Sequence, residues 1–209
     1  MKLPIVIFFV FANFASALAS NYKDGDIIFQ ESQSKQSKAI KEATSSRWSH
    51  VGILFKNLGE WKVGEAVQPV GFTSLEAFIS RGKNRDYRVY RVPGLSESQV
   101  QSLRNEVSKF VGRDYDIFFE WSDDLVYCSE LVYKTFSRAT GITIGKLEKF
   151  RDLKLDGPYV KELIRQRIEH TERILDLDEP IVTPVSQLQD PILILVDQSE
   201  QHDHKTLYP

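Results

Sequence analysis

A single cysteine, Cys128, stands in a chain whose first residues read like an export signal. That pairing limits the fold more than any other feature. Exported proteins meet oxidising surroundings and usually pair their cysteines, and one thiol closes no internal bridge. The chain therefore rests on a hydrophobic core, not on a disulfide framework. Cys128 itself is left as a buried space-filler, half of an intermolecular bridge, or a reactive group.

The opening MKLPIVIFFVFANFASALAS has one basic residue, Lys2, then an apolar run from Leu3 to Phe14, then small residues ending Ala17-Leu18-Ala19. This is a secretory signal with an Ala-x-Ala cleavage site after Ala19. The run is too short for a bilayer span, which takes about 20 apolar residues, and no later stretch is apolar for long enough. No cysteine follows the cleavage site, which excludes a lipid-attached amino terminus. The expected division is a signal peptide over 1–19, one domain over 20–197 and a loose tail over 198–209. A net charge of −2 and the lack of a basic stripe with interleaved aromatics argue against a nucleic-acid partner.

Along the rest of the chain, Asp26–Phe29 follows a glycine and reads as a short buried strand. Residues 34–44 read as a polar helix. Ser49–Phe55 and Glu60–Val67 read as two strands joined by a turn at Lys56–Gly59, and Arg88–Val92 alternates as a third good strand. Ser96 with Gln99 forms a capping-box pattern ahead of Val100, Leu103, Val107 and Phe110, with Gly112 as the stop. A second helix carries Leu131, Val132, Thr135 and Phe136 and is followed by Gly141. Thr183-Pro184 is a cap with a first-turn proline, and Pro191–Val196 reads as the last strand. Grouped strands and separate helices make an α+β layout.

Cys128 falls where the second helix begins, with Ser122, Asp123 and Asp124 upstream as candidate caps. The positive end of a helix dipole favours a thiolate, and such cysteines are the usual nucleophiles. Acidic groups at Asp123, Asp124 and Glu130 would oppose this if they pointed at the sulfur. A free cysteine is otherwise a small buried hydrophobe. A nucleophile needs a base and the base an orienter. Of four histidines, His202 and His204 lie in the tail with no third metal ligand in view, and His170 sits in a charged helical stretch that reads as solvated surface. His50 opens the apolar strand VGILF. With the turn at Lys56–Gly59, Phe55 faces Glu60 and His50 faces Glu65, which places both side chains on one face about 5 Å apart. Gln68 is the fallback orienter.

The ordered segments GDIIFQ (25–30), SHVGILF (49–55), EAV (65–67), GRDYD (112–116) and YCSELVYKTF (127–136) resemble the permuted papain-fold cysteine amidases, and more narrowly the YiiX/YebB-like branch of the NlpC-type superfamily. The resemblance implies a circularly permuted papain-like α+β fold, an antiparallel sheet packed with helices and the nucleophile at a helix N-terminus. It implies Cys128 as nucleophile, His50 as general base, Glu65 as orienter, and Tyr115 near the nucleophile, where its hydroxyl would help hold the oxyanion. Histidine precedes cysteine, the reverse of ordinary papain-like enzymes, and permutation of the fold brings both to one place. Non-permuted NlpC-type enzymes carry Asp before the cysteine and Gly two after it, where this chain has Tyr127 and Glu130, so their cell-wall substrate does not transfer directly.

The expectation is an exported, monomeric cysteine hydrolase of a peptide or amino-acid amide, drawn from the cell envelope by location, with no cofactor and no metal. Two other readings stay open. One is acyl transfer or thioester and ester hydrolysis on lipids, for which Ile117–Trp121 would line a greasy pocket or simply serve as core. The other is a binding module that has lost turnover, in which the thiol is buried and unreactive.

Overall fold

The computed structural model describes residues 21–172 and 174–199. The signal segment, most of the tail, and His202 and His204 lie outside the described residues. Among the described residues eight strands and six helices follow one another as β1 (Ile27–Ser32), α1 (Lys35–Thr44), β2 (His50–Asn57), β3 (Glu60–Glu65), β4 (Gly71–Ser74), α2 (Leu75–Arg81), β5 (Gly82–Arg91), α3 (Glu97–Phe110), α4 (Cys128–Thr140), β6 (Glu148–Lys149), α5 (Pro158–Thr171), β7 (Pro180–Ile181), α6 (Pro184–Leu188) and β8 (Ile194–Gln198). Six strands make one sheet in the order β4-β3-β2-β1-β5-β8, every pairing antiparallel, while β6 and β7 form a separate ribbon. Among the described residues no helix is long and apolar enough to cross a membrane.

Period-two alternation gives the sheet two buried faces. Ile27, Phe29, Val51, Ile53 and Phe55 meet Leu103, Val107 and Phe110 of α3 and Leu131, Val132 and Phe136 of α4. Ile28, Leu54, Val63 and Val89 point the other way, against Phe78 of α2. The helices end where the sequence signals them. Ser96 Oγ accepts from Gln99 N at 3.2 Å and Gln99 Oε1 accepts from Ser96 N at 3.0 Å, closing the capping box of α3. Gly141, at φ 74°, ends α4, and Thr183 Oγ1 caps α6.

The β2–β3 hairpin differs from expectation. Asn57 pairs Glu60 and Phe55 pairs Lys62, so the turn is Leu58-Gly59 alone. Both turn residues have positive φ, 50° and 87°, the two-residue geometry whose twist matches that of the strands. Glu65 therefore falls opposite Gly52 and not opposite His50. The slip is two residues, and an even slip keeps every side chain on its face. His50 and Glu65 still share a face, as diagonal neighbours. Gly52 leaves room for this crossing: a Cβ there would lie 2.4 Å from Val63 Cγ1 and 3.3 Å from Glu65 Cβ.

Candidate active site

α4 places Cys128 as its first residue. The caps expected upstream do not serve. The helix is instead started by Glu130, whose Oε2 accepts from Tyr127 N at 3.3 Å. Asp123 is drawn off by Lys134 and Arg138, at 2.9 and 2.8 Å, which hold its carboxyl down at about 2, Arg138 contributing most. Asp124 is exposed. Burial lifts Glu130 to about 8 against the pull of Lys134 at 2.6 Å. The first turn is pinned from behind, since Ser129 Oγ donates to Val182 O at 2.8 Å and Gln187 Nε2 donates to Ser129 O at 2.9 Å.

His50, the first residue of β2, stacks on Phe78 of α2 with centroids 5.5 Å apart. Its Nε2 meets Glu65 Oε2 at 2.6 Å. Glu65 is fully buried, and its carboxylate also takes the Thr73 hydroxyl and, on Oε1, Arg81 Nη2 at 2.5 Å. With Nε2 occupied, Nδ1 is the nitrogen left to face Cys128, which is near enough to the ring to raise its pKa. Burial alone would lower the imidazolium. Cys128 and Glu65 outweigh it and push His50 up to about 10. Glu65 moves the other way: burial opposes its charge, and the bond to His50 more than offsets that, holding it below its ordinary value. The arrangement favours an imidazolium backed by a carboxylate.

Tyr115 lies near the same cysteine. Burial and the charge on Cys128 push its hydroxyl far above its ordinary range, so it stays a donor. Gln68 holds Tyr115 rather than His50. Its Oε1 accepts from Tyr115 N at 2.7 Å and its Nε2 donates to Asp114 at 2.5 Å. Cys128, His50, Glu65 and Tyr115 are thus brought together, and Gln68 supports the group from one step away.

Two spaces flank the thiol. A cleft of about 1180 Å³ is lined by His50, Tyr115, Gln30, Gln68, Arg81 and Phe118, among others. Cys128 does not line it. The residue is only 1% exposed. On its other side Cys128 borders a crevice of about 40 Å³ walled by Ile40, Phe119, Phe150 and Val182. The Ile117–Trp121 stretch is divided between these spaces, with Phe118 in the cleft and Phe119 in the crevice and in the core. His170 is exposed as expected, and it also sits on Phe118 at 5.0 Å along the cleft.

Arg81 escaped the sequence reading because α2 did. The signal was present: Ser74 Oγ accepts from Ala77 N at 3.2 Å, and Glu76 follows in the first turn, a cap pattern like that of α3.

Comparison with known proteins agrees with this geometry. The model of the permuted papain-like amidase enzymes, YaeF/YiiX, C92 family, matches residues 21–197. The uncharacterized protein YiiX of Escherichia coli strain K12 is 39% identical over 181 residues, covering 86% of this chain and 88% of that protein. A solved structure of the metalloprotein YiiX from Escherichia coli O157:H7 superposes with a TM-score of 0.78 at 39% identity, over 85% of this chain and 97% of that one. Among the described residues no group of three or more His, Cys, Asp or Glu side chains could hold a metal ion. The chain belongs to the permuted papain-like amidases of the C92 family, which are cysteine peptidases and amidases.

Proposed function

We propose that this enzyme is exported and hydrolyses a peptide or amino-acid amide through a thioester on Cys128. One observation carries the reading: Cys128 at the head of α4 lies near enough to both His50 and Tyr115 to shift their pKa values, and His50 is held from behind by buried Glu65. The Cys128 thiolate attacks the amide carbonyl, a carbon–sulfur bond forms, and the carbonyl electrons move to oxygen. The Cys128 backbone N–H and the Tyr115 hydroxyl receive that oxyanion. His50 Nδ1–H gives its proton to the nitrogen, the carbon–nitrogen bond breaks, and the amine leaves. Water, deprotonated by neutral His50, then attacks the thioester, releases the acid and restores the thiolate–imidazolium pair. Glu65 holds the ring in place through both steps.

Several observations support an amide substrate. The cleft beside His50 has a volume of about 1180 Å³, and side-chain amides at Gln30 and Gln68 line it. Export is supported by the opening twenty residues, and a cell-envelope peptide follows from that location. The protein acts as a monomer in this reading.

A second reading, acyl transfer or hydrolysis of a lipid ester or thioester on the same site, is favoured by the apolar wall against Cys128. That crevice, about 40 Å³, exceeds little more than one water's share of the liquid, about 30 Å³. A long chain would enter only after α1 and α5 moved apart. The test is a panel of dipeptides, amino-acid amides, N-acyl amino acids and acyl thioesters, offered to the wild type and to Cys128→Ala. Amine release from the first two classes, absent in the variant, supports the amide reading. Turnover of acyl thioesters alone would replace it with the second, and no turnover of any class would leave the binding module.

A further inference from the structure

Arg81 is the last residue of α2. Its Nη2 donates to Glu65 Oε1 at 2.5 Å and its Nε to Ala77 O at 3.2 Å. Glu65 has no exposed surface, and its other oxygen is bonded to His50. A buried carboxylate thus lies between two cations, one from β2 and one from α2. The Arg81 side chain is 44% exposed and borders the cleft, so its guanidinium enters the site from the solvent side. Phe78, one helical turn earlier, carries the His50 ring on its face. One turn of α2 therefore fixes both the imidazole, through Phe78, and the carboxylate that orients it, through Arg81.

We propose that Arg81 is a positioning residue of the reaction, which keeps the Glu65 carboxylate ionised and aimed at His50 and, by its charge, sets the pH range in which the thiolate–imidazolium pair exists. This rests on the reading of Cys128 and His50 as the reactive pair. The groups facing that pair are Glu65 from β3, the Thr73 hydroxyl from β4, Arg81 from α2, Cys128 from α4 and Tyr115 from the segment before α4, with neutral Gln30 beside His50 on β1. Among these, Arg81 is the permanent cation. Removing it takes a positive charge from every neighbour at once. Each group then holds its proton more tightly, and both limbs of the pH profile move to higher pH. A purely structural role for α2 would lower the rate and leave the limbs in place.

The experiment uses the full chain with iodoacetamide as the probe of Cys128, and follows His50 by NMR over the same pH range. Arg81→Met and Arg81→Gln remove the charge, and Arg81→Gln keeps a donor for Glu65. Arg81→Lys keeps the charge without the fork that spans Glu65 and Ala77. Both neutral variants should shift the alkylation limbs and the His50 midpoint upward by about one pH unit, and so slow alkylation on the acid side about tenfold. Arg81→Lys should stay close to the wild type. Limbs and midpoint that stay in place in a folded neutral variant would overturn the proposal. If the wild-type thiol is unreactive in mild acid, the hydrolase reading fails, while the His50 midpoint still decides for or against Arg81.

Discussion

The hairpin that carries His50 and Glu65 and the helix head that carries Cys128 are held by different forces. In the hairpin, charge does the positioning: His50, Glu65 and Arg81 form one line of hydrogen bonds across β2, β3 and α2. At the helix head, packing does it: Val126, Tyr127 and Cys128 are at most 1% exposed, and Leu131, Val132 and Phe136 seat α4 on the sheet with no exposed surface. The pairing suits a nucleophile that has to be dry beside a base that has to be charged. It also predicts that damage to the two regions will look different, the hairpin failing in its pH dependence and the helix in its stability.

The largest effect should come from the hairpin. His50→Ala should lower kcat about a thousandfold or more, since the base and the acid are lost together, and Glu65→Gln should lose less because the ring keeps a hydrogen-bond partner. Steady-state kinetics on any substrate found in the panel measures both. On the helix side, Phe136→Ala should cost about 3–5 kcal/mol of stability, read by denaturant unfolding, while the activity that remains keeps its pH profile. Tyr115→Phe removes one donor near Cys128 and should lower kcat about a hundredfold, with KM nearly unchanged, if its hydroxyl holds the oxyanion.

The smallest effect is one of pH on stability. Folding raises His50 from its ordinary 6.5 to about 10, so the folded state binds that proton more tightly than the unfolded one. The stabilisation is fully present below about pH 6.5 and is lost as pH rises through about 10. Glu65, held below its ordinary value, contributes stability above that value and loses it as pH falls. The gap in Tm between the wild type and His50→Ala should therefore narrow steadily from neutral pH to pH 10. A gap independent of pH would mean that His50 is not charged in the folded protein.

Much of the helix side was legible in the sequence, because periodic apolar positions and caps such as Ser96 and Gly141 are local signals. The hairpin was legible only in part. Pairing from the wrong turn set the register off by two residues, and His50 and Glu65 still fell on one face because side-chain direction repeats every two residues. The cap at Ser74 signals α2 locally, but the reach of Arg81 to Glu65 depends on that helix folding back over the sheet, a long-range contact. The upstream acids were misjudged as caps for a similar reason: Asp123 serves Lys134 and Arg138, cations about two and three turns along α4.

The most direct test of the central claim is the rate of Cys128 alkylation by iodoacetamide as a function of pH, in the wild type and in His50→Ala. The account predicts a thiol already reactive at about pH 5–6, as thiolates paired with a histidine are, with that reactivity lost in the variant. A thiol that reacts only near pH 8.5, as an ordinary free cysteine does, or not at all, and that ignores the substitution, would contradict it. Cys128 would then be a buried core residue, and the fold would be serving as a binding module.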